Sequence, residues 1–393
     1  MAYKILKLKP GREKSLINRH PWVFSGALQA VPNARNGEIV RVESHKNEFL
    51  GYGFFSKNSQ ISCRVFEFRE PDLDFTQNPS YWHDKISKAF ALRKDLVITP
   101  KTNTFRLIHA EGDFLPGLIV DVYNETAVVL VLVKGIEHLL EYIISGLKTL
   151  GIKDIYLRNT ANNKNVENIS VESGWRGEAG SEELFVIENG IKFKVNIAEG
   201  QKTGFFIDQR DNRQLLKSLV TNKKVLNTFS YTGGFSAYAL AGGATEVHSV
   251  DISAEAIKVC EENISLNLAQ ANHKGITADC FDYLRQMQEK YDVIVLDPPA
   301  FAKNAHAVNQ AAKGYKDINL QAIKKINEGG LIFTFSCSQH IDKDLFRKIV
   351  FGAAADAGRE VRIIHQLTQP ADHPINIYHP EGEYLKGLVL KVD

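Results

Sequence analysis

From about residue 200 onward the chain repeats one pattern, an apolar run followed by a turn and a helix-type segment. The apolar runs are KVLNTFS, EVHSVD, YDVIVLD and GLIFTFS. Strands with so little polar alternation are buried on both faces, as in a parallel sheet covered by helices. The pattern therefore predicts an α/β domain over residues 198–393, with ligands bound beyond the carboxyl ends of its strands.

Two further parts precede this domain. Residues 1–75 alternate short strand-type runs with Gly, Asn and Ser turns, which predicts a small β barrel or sandwich. Residues 76–197 begin with a helix-type segment and continue with strands, a helix and a hairpin at Asn189-Gly190, which predicts an α+β domain. A chain of 393 residues exceeds one ordinary hydrophobic core, so several domains are expected.

Charge and composition limit the partners. The formal net charge is only +2, but residues 1–70 carry twelve Lys and Arg against six Glu. A basic face of this kind suits RNA, and a solvated surface explains it equally well. With no leader-type apolar segment and no long apolar run, we expect no membrane contact and a cytoplasmic location. The four cysteines form no CxxC pair, so neither disulfides nor a bound metal is expected.

A glycine-containing turn, residues 231–235, joins the first strand of the α/β domain to a helix. Gly233 and Gly234 would bring backbone N–H groups and a helix N-terminus close to a ligand, although an ordinary strand–helix turn has the same features. The next strand ends in Asp251, about 20 residues further on, where a carboxylate can accept both hydroxyls of a ribose. Dinucleotide and S-adenosylmethionine binding both fit these residues.

Two other strand ends carry an aspartate. Asp279 can accept from an adenine amino group or can cap the following helix, and the sequence does not decide between them. Asp297-Pro298-Pro299 directly follows a buried strand, and the prolines fix the backbone so that Asp297 and the Pro298 carbonyl face the cleft. Dehydrogenases do not use this element, whereas nucleobase methyltransferases hold the target's polar edge with it. The order of these motifs favours a methyltransferase.

Cys337 ends another strand, within the motif SCS. Carbon 5 of cytosine is a poor nucleophile, so an enzyme must first add a thiolate to carbon 6. The position of Cys337 predicts that nucleophile, with Asp297 near the cytosine N3 and amino group. Cys280 is expected to pack beside the cofactor. Methylation of a base nitrogen, which needs no thiol, and a non-catalytic role in ribosome assembly remain alternatives.

Several segments together resemble one known family. They are RHPWVFSGAL (19–28), RLIHAEGDFLPGLIVDVY (106–123), TGFFIDQRDNR (203–213), VLNTFSYTGGFSAYAL, VDIS, DPPAF, KGYKDIN (313–319), TFSCS and PADHPINIYHPEGEYLKG (370–387). Over nearly its whole length the chain resembles the bacterial ribosomal RNA large subunit methyltransferase I family. The resemblance implies a PUA domain, an EEHEE-type α+β middle domain and a C-terminal Rossmann-like class I methyltransferase domain.

The resemblance also implies S-adenosylmethionine as methyl donor, 23S rRNA as substrate, 5-methylcytosine as product and Cys337 as nucleophile. Homodimers are common in the family, so a homodimer is one expectation. Family members often carry Lys after the two prolines, where this chain has Ala300, which leaves the local RNA contact open.

The expected site follows from these motifs and, for residues 205–210 at the methionine end of the cofactor, from the resemblance alone. Asp211 and Arg213, in the same segment, are expected to be solvated charges at a helix start. The expected cofactor contacts are Phe205, Gln209, Arg210, Asn227, Ser230, Tyr231, Gly233, Phe235, Asp251, Ile252, Asp279, Cys280 and Asp297. The expected contacts to the target base are Pro298, Pro299, Phe301 and Lys303.

Overall fold

The structure is a computed structural model that describes residues 3–71, 73–159, 167–302 and 304–393. These residues fall into two compact units. The first comprises the described parts of Met1–Val186, Val195–Ile207 and Ala371–Gly382, and the second comprises Ile187–Lys194, Asp208–Pro370 and Glu383–Asp393. Within the described ranges, no helix combines the length and the apolar character that a membrane crossing requires. The domain boundaries near residues 75 and 197 remain predictions.

The first unit begins with a five-stranded sheet and a short helix. Its elements are β1 (Lys4–Lys7), α1 (Lys14–Ile17), β2 (Trp22–Phe24), β3 (Ile39–Glu43), β4 (Phe49–Phe55) and β5 (Ile61–Glu67), in the strand order β1-β3-β4-β5-β2. Segments flanking the two edge strands are hydrogen-bonded to each other. Lys9 N–H donates to the Ala27 carbonyl and Gln29 N–H donates to the Lys7 carbonyl, both at 2.9 Å. These two bonds satisfy backbone groups next to the sheet edges, and the small barrel stays a prediction.

The described part of the first unit also contains a second five-stranded sheet and three helices. The elements are α2 (Pro79–Leu96), β6 (Thr104–His109), β7 (Leu118–Tyr123), β8 (Thr126–Val131), α3 (Lys134–His138), α4 (Leu140–Thr149), β9 (Asp154–Leu157) and β10 (Gly174–Trp175). The strand order is β10-β9-β8-β7-β6, with β8 and β9 parallel. Helix α2 buries Trp82, Ile86 and Ala89, which lie three or four residues apart and so share one face.

A hairpin follows, made of β11 (Glu183–Glu188) and β12 (Ile191–Asn196). The turn residues Asn189 and Gly190 have φ values of +49° and +82°. Both angles are positive, as a two-residue type I′ turn requires, and Asn-Gly is the pair that adopts it most readily. The predicted hairpin is therefore confirmed.

The second unit is built on a seven-stranded sheet. Its elements are α5 (Arg210–Leu219), β13 (Lys224–Thr228), α6 (Gly234–Ala241), β14 (Glu246–Asp251), α7 (Ala254–Ser265), β15 (His273–Thr277), α8 (Cys280–Gln286), β16 (Val293–Leu296), α9 (Val308–Lys325), β17 (Gly330–Ser336), α10 (Lys343–Ala357), β18 (Val361–Leu367) and β19 (Lys386–Val392). The strand order is β15-β14-β13-β16-β17-β19-β18.

Strands β13 to β17 are parallel, and β19 runs antiparallel to both of its neighbours. All four residues of β16 are buried, which agrees with a strand covered on both faces. The predicted parallel α/β sheet is confirmed, and β18 and β19 extend it beyond the strands that the sequence indicated. The carboxyl ends of β13, β14, β16 and β17 share one edge, and the first residue of β19 lies at that same edge.

Candidate functional site

The loop after β13 has an unusual backbone. Phe229 and Tyr231 have positive φ values of +53° and +46°, and Gly233, the N-cap of α6, has a φ of +80°. A Cβ at Gly233 would lie 2.3 Å from the Cys260 sulfur, so both the backbone angle and the space require glycine. The turn therefore leads its backbone directly into the N-terminus of α6, a favourable place for polar ligand groups.

Asp251, the last residue of β14, holds this turn in place. Its carboxylate accepts from Tyr231 N–H at 2.9 Å and from Ser253 N–H at 3.0 Å. A carboxylate has about four lone-pair positions, so positions for two hydroxyls remain. The sequence indicated the ligand role and missed the structural one. Next to it, the Ile252 side chain is 71% exposed beyond the strand end.

Two buried oxygen atoms beside the turn are candidates for contact with a polar ligand. Among the described residues, Asn227 Oδ1 and Ser230 Oγ are buried without a hydrogen-bond partner, although Asn227 Nδ2 donates to Ser236 Oγ at 2.8 Å. Buried acceptors in this state fit a ligand that donates hydrogen bonds. S-adenosylmethionine donates through its ammonium group, ribose hydroxyls and adenine amino group. The residues at this strand end therefore fit the expected cofactor.

Asp279 and Cys280 lie after β15 and have structural contacts. The Asp279 carboxylate accepts from Phe281 N–H at 2.9 Å and from Asp282 N–H at 3.1 Å, so it caps α8. Phe229 N–H donates to Cys280 Sγ at 3.1 Å, which places this thiol directly under the glycine turn. Burial raises the pKa of Cys280 to about 12. A thiol with that pKa stays protonated near neutral pH, which agrees with the predicted packing role.

Asp297 follows β16 and is hydrogen-bonded to Gln209, the N-cap residue of α5. Gln209 Nε2 donates to Asp297 Oδ1 at 3.0 Å, and Asn212 Nδ2 donates to Gln209 Oε1 at 2.7 Å. This chain of hydrogen bonds fixes one carboxylate oxygen and orients the side chain. Pro298 is buried and Pro299 is exposed, so the diproline segment turns outward after the strand.

Cys337 lies beside the diproline segment. Cys337 is half-buried and its sulfur lies 4.0 Å from the Pro298 carbonyl oxygen, whereas the other three cysteines are buried. The adjacent Ser338 hydroxyl is buried, accepts from Ala302 N–H at 3.1 Å and lies 3.0 Å from the Tyr315 hydroxyl. Tyr315 belongs to the segment KGYKDIN. Through Ser338, it connects the loop that contains Ala302 with the loop that contains Cys337. The structure therefore brings Cys337 and the diproline segment into one site.

Phe301 packs in an aromatic cluster behind this site. Its ring centroid lies 4.6 Å from Tyr315, 5.6 Å from Phe281 and 6.5 Å from Phe229. The cluster supports the loop after the prolines, and Phe301 remains half-buried at its surface. Lys303 lies outside the described residues.

Phe235 and Phe205, two further predicted cofactor contacts, are both buried among protein groups. Phe235 is buried in the core, where its ring packs against Phe335 at 5.6 Å. Phe205 is buried in the first unit, where its N–H donates to the Tyr123 hydroxyl at 3.2 Å. Their contact with a cofactor stays a prediction.

Arg213 corrects one expectation. It is not a solvated helix-start charge but is buried, with Nε and Nη2 donating to the two Glu188 oxygens at 2.9 and 2.8 Å. Burial raises the pKa of Glu188, and the charges of Arg213 and Arg210 oppose that shift. This ion pair could not be predicted from the sequence, because Glu188 belongs to the hairpin tip. Asp211 is exposed, as expected.

One acidic cluster lies at the opposite edge of the sheet. Donor atoms of Glu246, His248 and Glu289 lie within 4.8 Å of one another, close enough to hold a metal ion. However, Lys224 Nζ lies 3.1 Å from Glu246 and 2.8 Å from Glu289, so an ammonium already balances both carboxylates. We interpret the cluster as a structural ion-pair network.

Two family profiles match the chain. A PUA-like domain matches residues 6–68, and an S-adenosylmethionine-dependent methyltransferase matches residues 167–379, which is more than half of the sequence. The second match contains the glycine turn, Asp251, Asp297 and Cys337.

Curated proteins and solved structures agree with these profiles. The chain is 41% identical to a ribosomal RNA large subunit methyltransferase I of Shewanella denitrificans, covering 100% of both chains. It is 42% identical to the protein of that name in Aeromonas salmonicida, covering 98% of both. The crystal structure of SMU.776 in complex with SAH is similar over 100% of both chains, with a TM-score of 0.86 and 25% identity.

Proposed function

The chain belongs to the S-adenosylmethionine-dependent ribosomal RNA large subunit methyltransferase I family, and from that premise we propose that it forms 5-methylcytosine in 23S rRNA with Cys337 as the nucleophile. The observation that carries the proposal is the position of the Cys337 sulfur, 4.0 Å from the Pro298 carbonyl oxygen. A nitrogen acceptor would need only desolvation and a hydrogen-bond acceptor such as Asp297. A thiol beside the diproline segment has a role when the methyl acceptor is a carbon, because carbon 5 must be activated by addition of a nucleophile to carbon 6.

The reaction begins with the thiolate of Cys337. A bond forms between its sulfur and carbon 6 of the cytosine, and the electron pair of the C5–C6 double bond makes carbon 5 nucleophilic. Asp297, oriented by Gln209, accepts a hydrogen bond from the cytosine amino group and, as the carboxylic acid, gives its proton to N3 as negative charge develops on the ring. S-adenosylmethionine, when bound, supplies an electrophilic methyl group. Loss of the carbon 5 proton to a base and cleavage of the S–C6 bond then release the enzyme.

The other parts of the chain have supporting roles in this proposal. The basic N-terminal domain, residues 1–75, binds the rRNA backbone, since its charged groups lie apart in sequence from the catalytic motifs. The middle domain spans 76–197 and the catalytic domain 198–393. Pro298, Pro299 and Phe301 contact the target base. The enzyme acts in the cytoplasm, and a homodimer is the assembly we propose.

The test compares Cys337→Ala with Cys63→Ala, which removes a buried thiol of the N-terminal sheet. We expect Cys337→Ala to lower turnover at least about 10³-fold while S-adenosylmethionine binding is retained, because the thiol contacts the base. The readout is 5-methylcytosine in 23S rRNA, measured by nucleoside mass spectrometry in cells that lack the gene and carry each variant. Cys63→Ala should restore the product.

A second readout detects the covalent step itself. Fluorine at carbon 5 cannot leave as a proton would, so RNA containing 5-fluorocytosine should trap the wild-type enzyme as an adduct that survives denaturation. Cys337→Ala should give no adduct. Formation of 5-methylcytosine by the alanine variant, or a wild-type product methylated on nitrogen without any adduct, would refute the assignment.

A further inference from the structure

Lys386 is a buried lysine beside the proposed nucleophile. It is the first residue of β19, pairs with Ser336 of β17 and is only 4% exposed. Its ammonium nitrogen donates to the carbonyl oxygens of Ser338 and Tyr384, each at 2.7 Å. The side chain therefore starts level with Ser336 and ends at Ser338, the two residues that flank Cys337.

Burial of a lysine head group is unfavourable without a compensating charge. Burial lowers the pKa of Lys386 to about 8, and Cys337 is the strongest of the groups that oppose this shift. Glu383 and Asp342 also oppose it, and Lys343 adds to it. Both carboxylates have other partners, because Glu383 pairs with Lys343 and Asp342 caps α10 by accepting from an N–H there.

The other elements bring a phenol, a carbonyl oxygen and, one residue before that carbonyl, the Asp297 carboxylate towards the site of Cys337. Tyr315 of α9 approaches from one side, and burial raises its pKa, so that the phenol stays neutral. Pro298 offers a carbonyl oxygen on another side. A carbonyl dipole disfavours a thiolate, which makes a neighbouring positive charge necessary if Cys337 is to ionise near neutral pH.

The hydrogen bonds of Lys386 suit both of its protonation states. A neutral amine has two N–H donors, enough for the two carbonyl oxygens, and one lone pair. An ammonium ion keeps the same two bonds and has a third N–H. The site can therefore take up or release one proton without losing either contact.

We propose that Lys386 is a positioning residue that keeps Cys337 in the thiolate form. The thiol releases its proton to solvent, and the positive charge of the nearby Lys386 ammonium stabilises the thiolate that remains. The catalytic purpose of this pair rests on the proposed function, since a thiolate is the form that adds to carbon 6. The ionisation of Cys337 itself can be measured without RNA or cofactor.

The experiment is the pH dependence of alkylation of the full-length protein by iodoacetamide. Mass spectrometry of peptides gives the rate at Cys337, and the three buried cysteines, labelled after denaturation, serve as internal references. A free cysteine has a midpoint near 8.5, and we expect the wild-type Cys337 midpoint at about 7.5 or below. In Lys386→Met the midpoint should rise by about 1 pH unit or more.

Lys343→Met is the matched control, since it removes an exposed positive charge from the same neighbourhood. Its midpoint should stay within about 0.3 pH unit of the wild-type value, because the lost charge is exposed and screened by solvent. Lys386→Gln, which keeps a donor for the carbonyls but has no charge, should behave like Lys386→Met. Thermal unfolding and S-adenosylmethionine binding by calorimetry establish that each variant is folded.

Two results would overturn the proposal. One is a wild-type midpoint at or above about 8.5, which needs no variant and holds even if both substitutions unfold the protein. The other is a low midpoint that Lys386→Met and Lys386→Gln leave unchanged. If the midpoint shifts as expected but no 5-methylcytosine is found in 23S rRNA, the Lys386 assignment stands and the proposed reaction fails.

Discussion

Replacement of Asp251 by alanine tests the cofactor site most directly. The carboxylate already accepts two backbone N–H groups, from Tyr231 and Ser253, so its remaining lone pairs are the ones available to a ribose. A hydrogen bond to a charged group contributes about 1.5 to 3 kcal/mol. Two such bonds are lost in Asp251→Ala, but water and a relaxed turn recover part of the energy. We expect a net loss of about 2 to 3 kcal/mol in binding, or roughly 30- to 150-fold in Kd.

Calorimetry with S-adenosylmethionine measures this loss. Asp251→Asn keeps one acceptor oxygen and should weaken binding less than the alanine variant does. Glu255→Gln removes an exposed carboxylate from the first turn of the next helix, and its Kd should stay within about twofold of the wild-type value. Because Asp251 also holds the glycine turn, thermal unfolding must be measured in parallel. A folded Asp251→Ala protein with an unchanged Kd would remove Asp251 from the cofactor site.

Three further predictions follow from particular contacts. Gly233→Ala should lower the free energy of unfolding by at least about 2 kcal/mol, because a left-handed backbone and a Cβ 2.3 Å from the Cys260 sulfur are both unfavourable. Gly234→Ala, whose Cβ would lie 3.3 Å from Arg213, should lower that free energy clearly less. Denaturant unfolding measures both. Replacing the exposed Lys9, Arg12 and Lys14 by Gln should reduce the slope of log Kd for rRNA against log salt by about 0.7 to 0.9 per lost phosphate contact, and an unchanged slope would contradict an RNA-binding role for this surface. Burial lowers the pKa of His273 to about 4, so the unfolded chain binds a proton below pH 6.5 that the folded protein does not bind. The free energy of unfolding should therefore fall as the pH is lowered from 6.5 to 4. His273→Gln should flatten that dependence in urea titrations.

The fold was predictable where the sequence pattern and the packing have the same cause. The apolar run Val293–Leu296 is buried on both faces of the sheet, and the pair Asn189-Gly190 adopts positive φ angles that few other residues tolerate. These signals are local. Each can be interpreted without knowing which distant segment packs against it.

Other contacts could not be predicted because their partners are distant in sequence. Arg213 resembles a solvated charge until the hairpin tip supplies Glu188, and Ser338 resembles a simple neighbour of Cys337 until Tyr315 and Ala302 contact its hydroxyl. Burial of a charged or polar side chain depends on such partners. The sequence therefore indicated the strand ends at which we expect the site, and it left out most of the residues that orient the side chains there.

The antiparallel direction of β19 has a specific consequence for the site. Parallel strands bring only their last residues to the carboxyl edge of a sheet, which is where Asp251, Asp297 and Cys337 stand. An antiparallel strand inserted next to β17 brings its first residue to that edge instead. Lys386 can thus begin within the sheet, fixed by ladder hydrogen bonds, and still reach the residues around Cys337. A lysine on a flexible loop at the same edge would lose more conformational entropy on adopting one position. A lysine anchored in the sheet therefore holds its positive charge beside Cys337 at a lower entropic cost, as the proposed thiolate requires.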